Sequence, residues 1–294
     1  GGLQACNSYT KINLSLFGLY PRKYVPSIPP ELVLMPGGSL YMGGVLYEMA
    51  SWTRAIVVPL SIVQAVGGVR PAPEGISVDE LILPDRKLGL PKRDRFLSTI
   101  FHHVDKLLKI WERRGHRDAR IAAIRQAERW MLDHCRNSDG LGAIYPAMQY
   151  TIMALEALGY PEDHPDLVEA KAHFNNLITE TDDELYFQPC FSPIWDTAYA
   201  AFALAEAGHP SPEALRKSAD WLLAKEIRRR GDWSVKRPHL HPSGWAFEFA
   251  NEHYPDIDDT AIVLMCLEHS VASDPVKQKA VEERAVAWLK GMQS

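Results

Sequence analysis

The chain predicts an all-α fold, and three observations carry that expectation. Apolar residues recur at intervals of three and four along most of its length, and sustained one-in-two alternation is scarce. Gly159-Tyr160-Pro161 and Gly208-His209-Pro210 each close one helical segment and open another. Helices paired across short turns, without strands between them, make an all-α architecture. Periodicity alone leaves a barrel and a solenoid equally open.

The segments follow in order. Residues 55–66 are apolar nearly all round but short and interrupted by Pro59, which predicts a buried helix rather than a membrane span. From Arg95 onward, Phe96, Leu97, Ile100, Phe101, Val104, Leu107, Leu108 and Trp111 form one stripe, opposed by Arg93, Asp94, His103, Asp105, Lys106, Lys109 and Arg113. That is an amphipathic helix, facing either a core or a lipid surface. The three-and-four spacing then recurs over 121–131, 148–158, 198–205, 215–223 and 262–267, and each stretch predicts a helix with one apolar face.

Composition narrows the class. With 46% hydrophobic and 10% aromatic residues over 294 positions, the chain has ample material for a core, and its net charge of −5 leaves no basic excess to track phosphates; nucleic acid is not an expected partner. Cys6, Cys135, Cys190 and Cys266 are scattered without metal-ligand spacing, so reduced thiols are expected. Cys266 and His269 lie three apart, but two ligands make no site, and neither a metal nor another cofactor is expected.

The most informative stretch is Asp256-Ile257-Asp258-Asp259-Thr260, between Tyr254-Pro255 and the apolar run Ala261-Ile262-Val263-Leu264-Met265. One reading makes an aspartate the helix cap and the others complements of its dipole. The other follows from crowding: carboxyls this close cannot all ionise comfortably, so one keeps its proton near neutral pH and becomes a general acid.

The surroundings of the triplet favour the acid. Gly231-Asp232-Trp233-Ser234-Val235-Lys236-Arg237-Pro238, Ser243-Gly244-Trp245-Ala246-Phe247-Glu248-Phe249 and the stretch Asn251 to Ala261, with Ser192-Pro193-Ile194-Trp195-Asp196-Thr197 and Ser51-Trp52-Thr53-Arg54-Ala55, resemble the squalene-hopene cyclases. These belong to the class II terpene cyclases, whose Asp-x-Asp-Asp signature protonates an alkene, and the likeness runs over nearly the whole chain. Oxidosqualene cyclases carry only one of these aspartates, so the triplet points to the type that acts on squalene itself.

The resemblance implies two α/α barrels of the terpenoid cyclase toroid, both incomplete: residues 1–190 as the later part of the inserted barrel and 191–294 as the opening part of the main catalytic barrel. The family repeats a motif of Lys/Arg, Gly/Ala, an aromatic, Gln, then Gly and Trp. Arg284 to Gln293 matches its first half, and Ser294 ends the chain before the Gly and Trp. Looser copies run from Lys217-Ser218 through Trp221-Leu222, with Glu226 in the Gln place, to Gly231-Asp232-Trp233, and from Ala127 through Trp130-Met131, with Cys135 in the Gln place, to Gly140. With no initiator Met, signal peptide or transit segment at Gly1-Gly2-Leu3-Gln4, the expectation is a fragment.

The resemblance also assigns roles. Asp258 is the implied proton donor, flanked by Asp256 and Asp259, with a His partner beyond Ser294, so the isolated chain is expected to be inactive. Protonating an isolated double bond needs an acid strengthened by hydrogen bonds, and the cation must be kept from water until the rings close. Trp195, Phe247 and Trp52 are implied cation-stabilising aromatics, since a ring face attracts positive charge without offering a lone pair. Tyr145-Pro146 and Tyr150 stand where the family has a Gln-Pro pair and a Tyr that position a terminating water. Asn7 and Asn13 stand where well-known members carry an Arg and a Trp, which leaves alkene and alcohol products both open. The implied partners are squalene, a membrane surface gripped from one side, and a second copy in a homodimer; the implied place is the cytoplasmic face of a bacterial inner membrane. Rival readings are a class II cyclase of a di- or sesquarterpene substrate, against which the Arg228-Arg229-Arg230 run reads as a solvated helix end rather than a diphosphate pocket, and a non-catalytic α/α scaffold.

Overall fold

The computed structural model describes residues 2–35, 45–68, 70–84, 88, 96–208 and 211–293. Helices dominate: α1 (Ser8–Leu16), α2 (Val45–Glu48), α3 (Ser51–Val66), α4 (Phe96–Arg114), α5 (Arg117–Cys135), α6 (Tyr145–Ala157), α7 (Pro165–Asn175), α8 (Pro193–Glu206), α9 (Pro212–Ala224), α10 (Ile257–Glu268) and α11 (Pro275–Met292). His209 and Pro210, Arg93 to Arg95, and the side chains of Phe96 and Leu97 lie outside the description.

Each helical stretch expected from spacing falls on a helix, 148–158 overrunning the end of α6 by one residue, and the helices make two cores. In the first, α3 packs along α6 and α5, burying Ile62, Val63, Met131, Ala154 and Leu155. Pro59 sits inside α3 as expected, and Gly67 ends that helix in the left-handed conformation. In the second, α8, α9, α10 and α11 bury Ile194, Ala198, Leu222, Trp245, Val263 and Ala285.

Among the described residues, the extended structure is a short antiparallel hairpin, β1 (Ile178–Glu180) and β2 (Leu185–Phe187), with Thr179 opposite Tyr186, plus three isolated bridges. The stretches expected as repeat copies touch through side chains. Arg284 grips Glu226, in the Gln place of the preceding copy, through Nε to Oε1 at 3.1 Å and Nη2 to Oε2 at 2.8 Å, and Trp233 meets Trp288 edge to face at 5.9 Å. Arg228, Arg229 and Arg230 lie on irregular chain beyond α9 rather than at a helix end. Arg229 pairs with Glu252, Arg228 lies 3.7 Å from the Glu226 carboxylate that Arg284 also holds, and Arg230 donates to the Pro238 carbonyl.

Helix α4 turns its apolar side outward: Phe101 is 68% and Leu107 67% exposed. Its polar side faces the body, where Asp105 accepts from the Ser27 amide at 2.9 Å and Lys109 donates to the Lys23 carbonyl at 3.0 Å.

Candidate functional site

The cap and the two aspartates that follow it are one construction. Asp256 is the N-cap of α10, its Oδ1 accepting the amides of Asp258 at 2.8 Å and Asp259 at 3.2 Å. Its own backbone is pinned from behind, because its amide donates to the Trp245 carbonyl at 2.8 Å and the Trp245 amide donates to Thr260 Oγ1 at 3.1 Å. That close pass needs Gly244, at φ +105°, where a side chain would collide with Thr260 Oγ1.

The three carboxyls meet different surroundings. Asp259 is 1% exposed, and its Oδ1 has no partner. Burial, followed by the charges of Asp256 and Asp258, pushes it up to about 8, so it carries a proton at neutral pH. Burial also raises Asp256, although the two amides and a hydrogen bond with Asp259 pull the other way. Asp258 is exposed and lines an open cleft of about 450 Å³. Asp256 lines the same cleft but is less exposed, so Asp258 is the most open of the three, and Asp256 shares a hydrogen bond with the buried Asp259.

Trp52, from the first turn of α3, forms part of the same cleft wall. Its ring meets Phe247 edge to face at 5.6 Å, and Phe247 lies 6.4 Å from Trp195, which in turn touches Tyr199 at 4.6 Å. Three aromatics drawn from far-apart parts of the sequence thus make one row, of which Trp52 lines the cleft with Asp258 while Phe247 and Trp195 do not. Tyr145 and Pro146 open α6, and Tyr150 stands one turn along it, fully buried. Tyr145 packs on Phe187 of the hairpin at 5.3 Å and on Phe174 at 5.9 Å. Tyr150 is raised by burial and by the charge of Tyr9, with Asn13 opposing. Tyr9, Asn13, Tyr145 and Tyr150 therefore form a second polar-aromatic group, held to the first row through the packing of α3 on α6. Asn7 takes no place in it; it caps α1 by accepting from the Thr10 amide at 2.9 Å.

Sequence reasoning missed the floor of the cleft. Arg54 Nε donates to Asp232 Oδ2 at 3.1 Å, and His134 Nε2 lies 2.9 Å from Asp232 Oδ1. Burial pushes Asp232 up, but the hydrogen bond and charge of His134, with the charge of Arg54, hold it below the usual carboxylate range. His134 is sandwiched between Trp130 at 3.8 Å and His253 at 4.2 Å, and His253 is lowered first by burial and then by His134. Nitrogens of both histidines and an Asp232 oxygen lie within 4.8 Å of one another. Stacked rings aim their lone pairs past each other, and Arg54 already holds the carboxylate, so the group is an ion-paired seam rather than a metal site. Arg54 and Asp232 both stand inside the quoted motifs, and that was the available signal.

Compared with known proteins, the chain falls among the terpene cyclases. The model of the squalene-hopene cyclase N-terminal domain matches residues 1–183, and that of the C-terminal domain matches 191–294. Over its full length the chain is 38% identical to a squalene-hopene cyclase of Zymomonas mobilis and 35% identical to one of Bradyrhizobium diazoefficiens, covering 46% and 45% of those proteins. It is 36% identical to a dammaradiene synthase of Dryopteris crassirhizoma, covering 43% of it. The chain belongs to the squalene-hopene cyclase family. It spans less than half the length of the curated relatives it matches.

Proposed function

We propose that the protein to which this chain belongs cyclises squalene to pentacyclic hopanoids by protonating a terminal double bond, with Asp258 as the general acid. The observation that carries this is the placement of Asp258 and Asp256 on an open cleft walled by Trp52, with the buried, protonated Asp259 behind them and Phe247 and Trp195 joined to Trp52 by successive ring contacts. The Asp258 proton passes to the alkene carbon, leaving a carboxylate and a tertiary cation. The aromatic row then stabilises positive charge as ring closure moves it along the chain. Tyr145, Pro146 and Tyr150 belong to the terminating end, where the cation loses a proton or takes up water. Residues 1–190 and 191–294 serve as parts of two α/α barrels, and the two separate cores support that division.

Squalene is delivered from a bilayer, and the outward apolar face of α4 is the contact surface we assign to it. The grip we propose is from one side; among the described residues no helix is long and apolar enough to cross a membrane.

The test is Asp258→Asn in the full-length enzyme, assayed with squalene in deuterated water. The wild type is expected to yield a cyclised product carrying one solvent deuterium, and the variant none, with an unchanged circular dichroism spectrum. Cyclisation by Asp258→Asn at the wild-type rate would remove Asp258 from the donor role. Turnover of a prenyl diphosphate in preference to squalene would move the enzyme to the di- or sesquarterpene class.

A further inference from the structure

The stretch from Ala246 to Asp259 runs between two openings and lines both. Ala246, Glu248, Asn251 and Glu252 line a pocket of about 470 Å³ on one side, while His253, Asp256 and Asp258 line the substrate cleft on the other. Inside this wall are three oxygens with no partner: Glu248 Oε2, Asn251 Oδ1 and Asp259 Oδ1, on residues that are 2%, 2% and 1% exposed. Glu248 Oε1 accepts from Asn251 Nδ2 at 3.3 Å. The wall is strapped in place, since the Ala250 amide donates to Asp139 Oδ2 at 2.9 Å and the Asp139 amide to the Ala250 carbonyl at 3.1 Å. Buried oxygens left in this way call for a shared proton or a donor from solvent.

The proposed reaction creates the demand for one. Each turnover leaves the acid as a carboxylate facing a cleft filled with hydrocarbon, and the proton released at termination appears at the far end of the product. The returning proton therefore has to enter from another side. From its geometry we infer that Glu248, assisted by Asn251, relays protons from the solvent-open pocket to Asp259 and so recharges Asp258; this rests on the cyclase reading above.

The step balances without a further reagent. The Asp259 and Asp256 pair passes a proton to the Asp258 carboxylate, Glu248 gives its resting proton to the Asp259 carboxylate so formed, and a solvent hydronium reprotonates Glu248 and leaves water. One solvent proton enters, and one negative charge at the acid site is neutralised. Burial, with the neighbouring charges of Asp259 and Asp139, raises Glu248 to about 8, which matches it to Asp259 as donor and acceptor. The charged groups around it on the pocket side are Lys225, Glu226, Arg228, Arg229 and Glu252.

The experiment compares single-turnover and steady-state cyclisation of squalene by the full-length enzyme, with Glu248→Gln and Glu248→Asp. An enzyme that starts protonated needs no relay for its first turnover. Glu248→Gln is therefore expected to keep the single-turnover rate within about twofold while steady-state turnover falls about tenfold or more with a larger solvent deuterium isotope effect, and Glu248→Asp recovers part of the loss. A Glu248→Gln enzyme with wild-type steady-state turnover overturns the relay, and so does one whose two rates fall equally. Should Glu248→Gln not fold, Asn251→Ser is expected to show the same split, and an equal fall in both rates would again overturn the relay. Failure of the wild type to take solvent deuterium into a cyclised squalene product would strike the cyclase reading instead, and would be seen before any variant is compared.

Discussion

Asp232→Asn in the full-length protein tests the buried seam most directly. The side chains of Arg54, His134 and Asp232 are each less than a tenth exposed, and Asp232 gives one oxygen to each of its two partners. Asparagine has a single oxygen, so either Arg54 or His134 keeps its acceptor and the other meets an amide NH₂ group. Breaking a buried pair by removing one partner costs about 3–5 kcal/mol, because a charge is left desolvated without compensation. For a domain of this size that corresponds to a melting point lower by roughly 6–20 °C. Differential scanning calorimetry with reversibility checked, or urea denaturation followed by tryptophan fluorescence, reads the loss. The double replacement Arg54→Met with Asp232→Leu should recover most of it, as apolar pairs of similar volume often equal buried ion pairs. A loss below about 1 kcal/mol for Asp232→Asn, the level of an exposed pair, would refute the reasoning by showing that water reaches the seam.

Two further outcomes follow from the same geometry. Phe247→Leu should keep substrate affinity within a few fold while turnover with squalene falls roughly 2- to 30-fold, the equivalent of about 0.5–2 kcal/mol of cation stabilisation, and products released before the last ring closes should accumulate in gas chromatography. Asp259 and Glu248, raised in the folded state to about 8 from ordinary values of about 4, bind more protons folded than unfolded between those limits. Their stabilisation is complete below about pH 4 and declines as pH rises through about 8, so unfolding measured at pH 5 and pH 8 should show the lower stability at pH 8, with a smaller difference in Asp259→Asn.

The sequence carried the helices well because their apolar faces are periodic, and it marked the start of α10 because a capping aspartate before an apolar run is a local signal. The cap reading holds at Asp256, which accepts the two amides, and it leaves room for the acid reading we propose, since Asp258 reaches the cleft and Asp259 is buried. The hairpin escaped notice because three-residue strands are too short to show alternation. The stripe on α4 was legible, but not the side it would face; Ser27 and Lys23, far off in sequence, turn the polar side inward. The seam was invisible as a unit, since Arg54, His134 and Asp232 are brought together only by tertiary packing. Glu248 was hidden by its neighbours: in a run of aromatic and small residues, nothing local says that its carboxyl is buried.

The row of Trp52, Phe247 and Trp195 and the ion pairs of Asp232 cross from one core to the other, which constrains how such enzymes could be recombined. A chimera joined near residue 190 would inherit Trp52, Arg54 and His134 from one parent and Trp195, Asp232, Phe247 and the acid triplet from the other. Ring size, spacing and charge at these positions would have to match for a continuous wall to form. Shuffling at that junction should therefore succeed between parents alike at these few positions, whatever their identity elsewhere, and exchange of product specificity should require moving both sides of the row together.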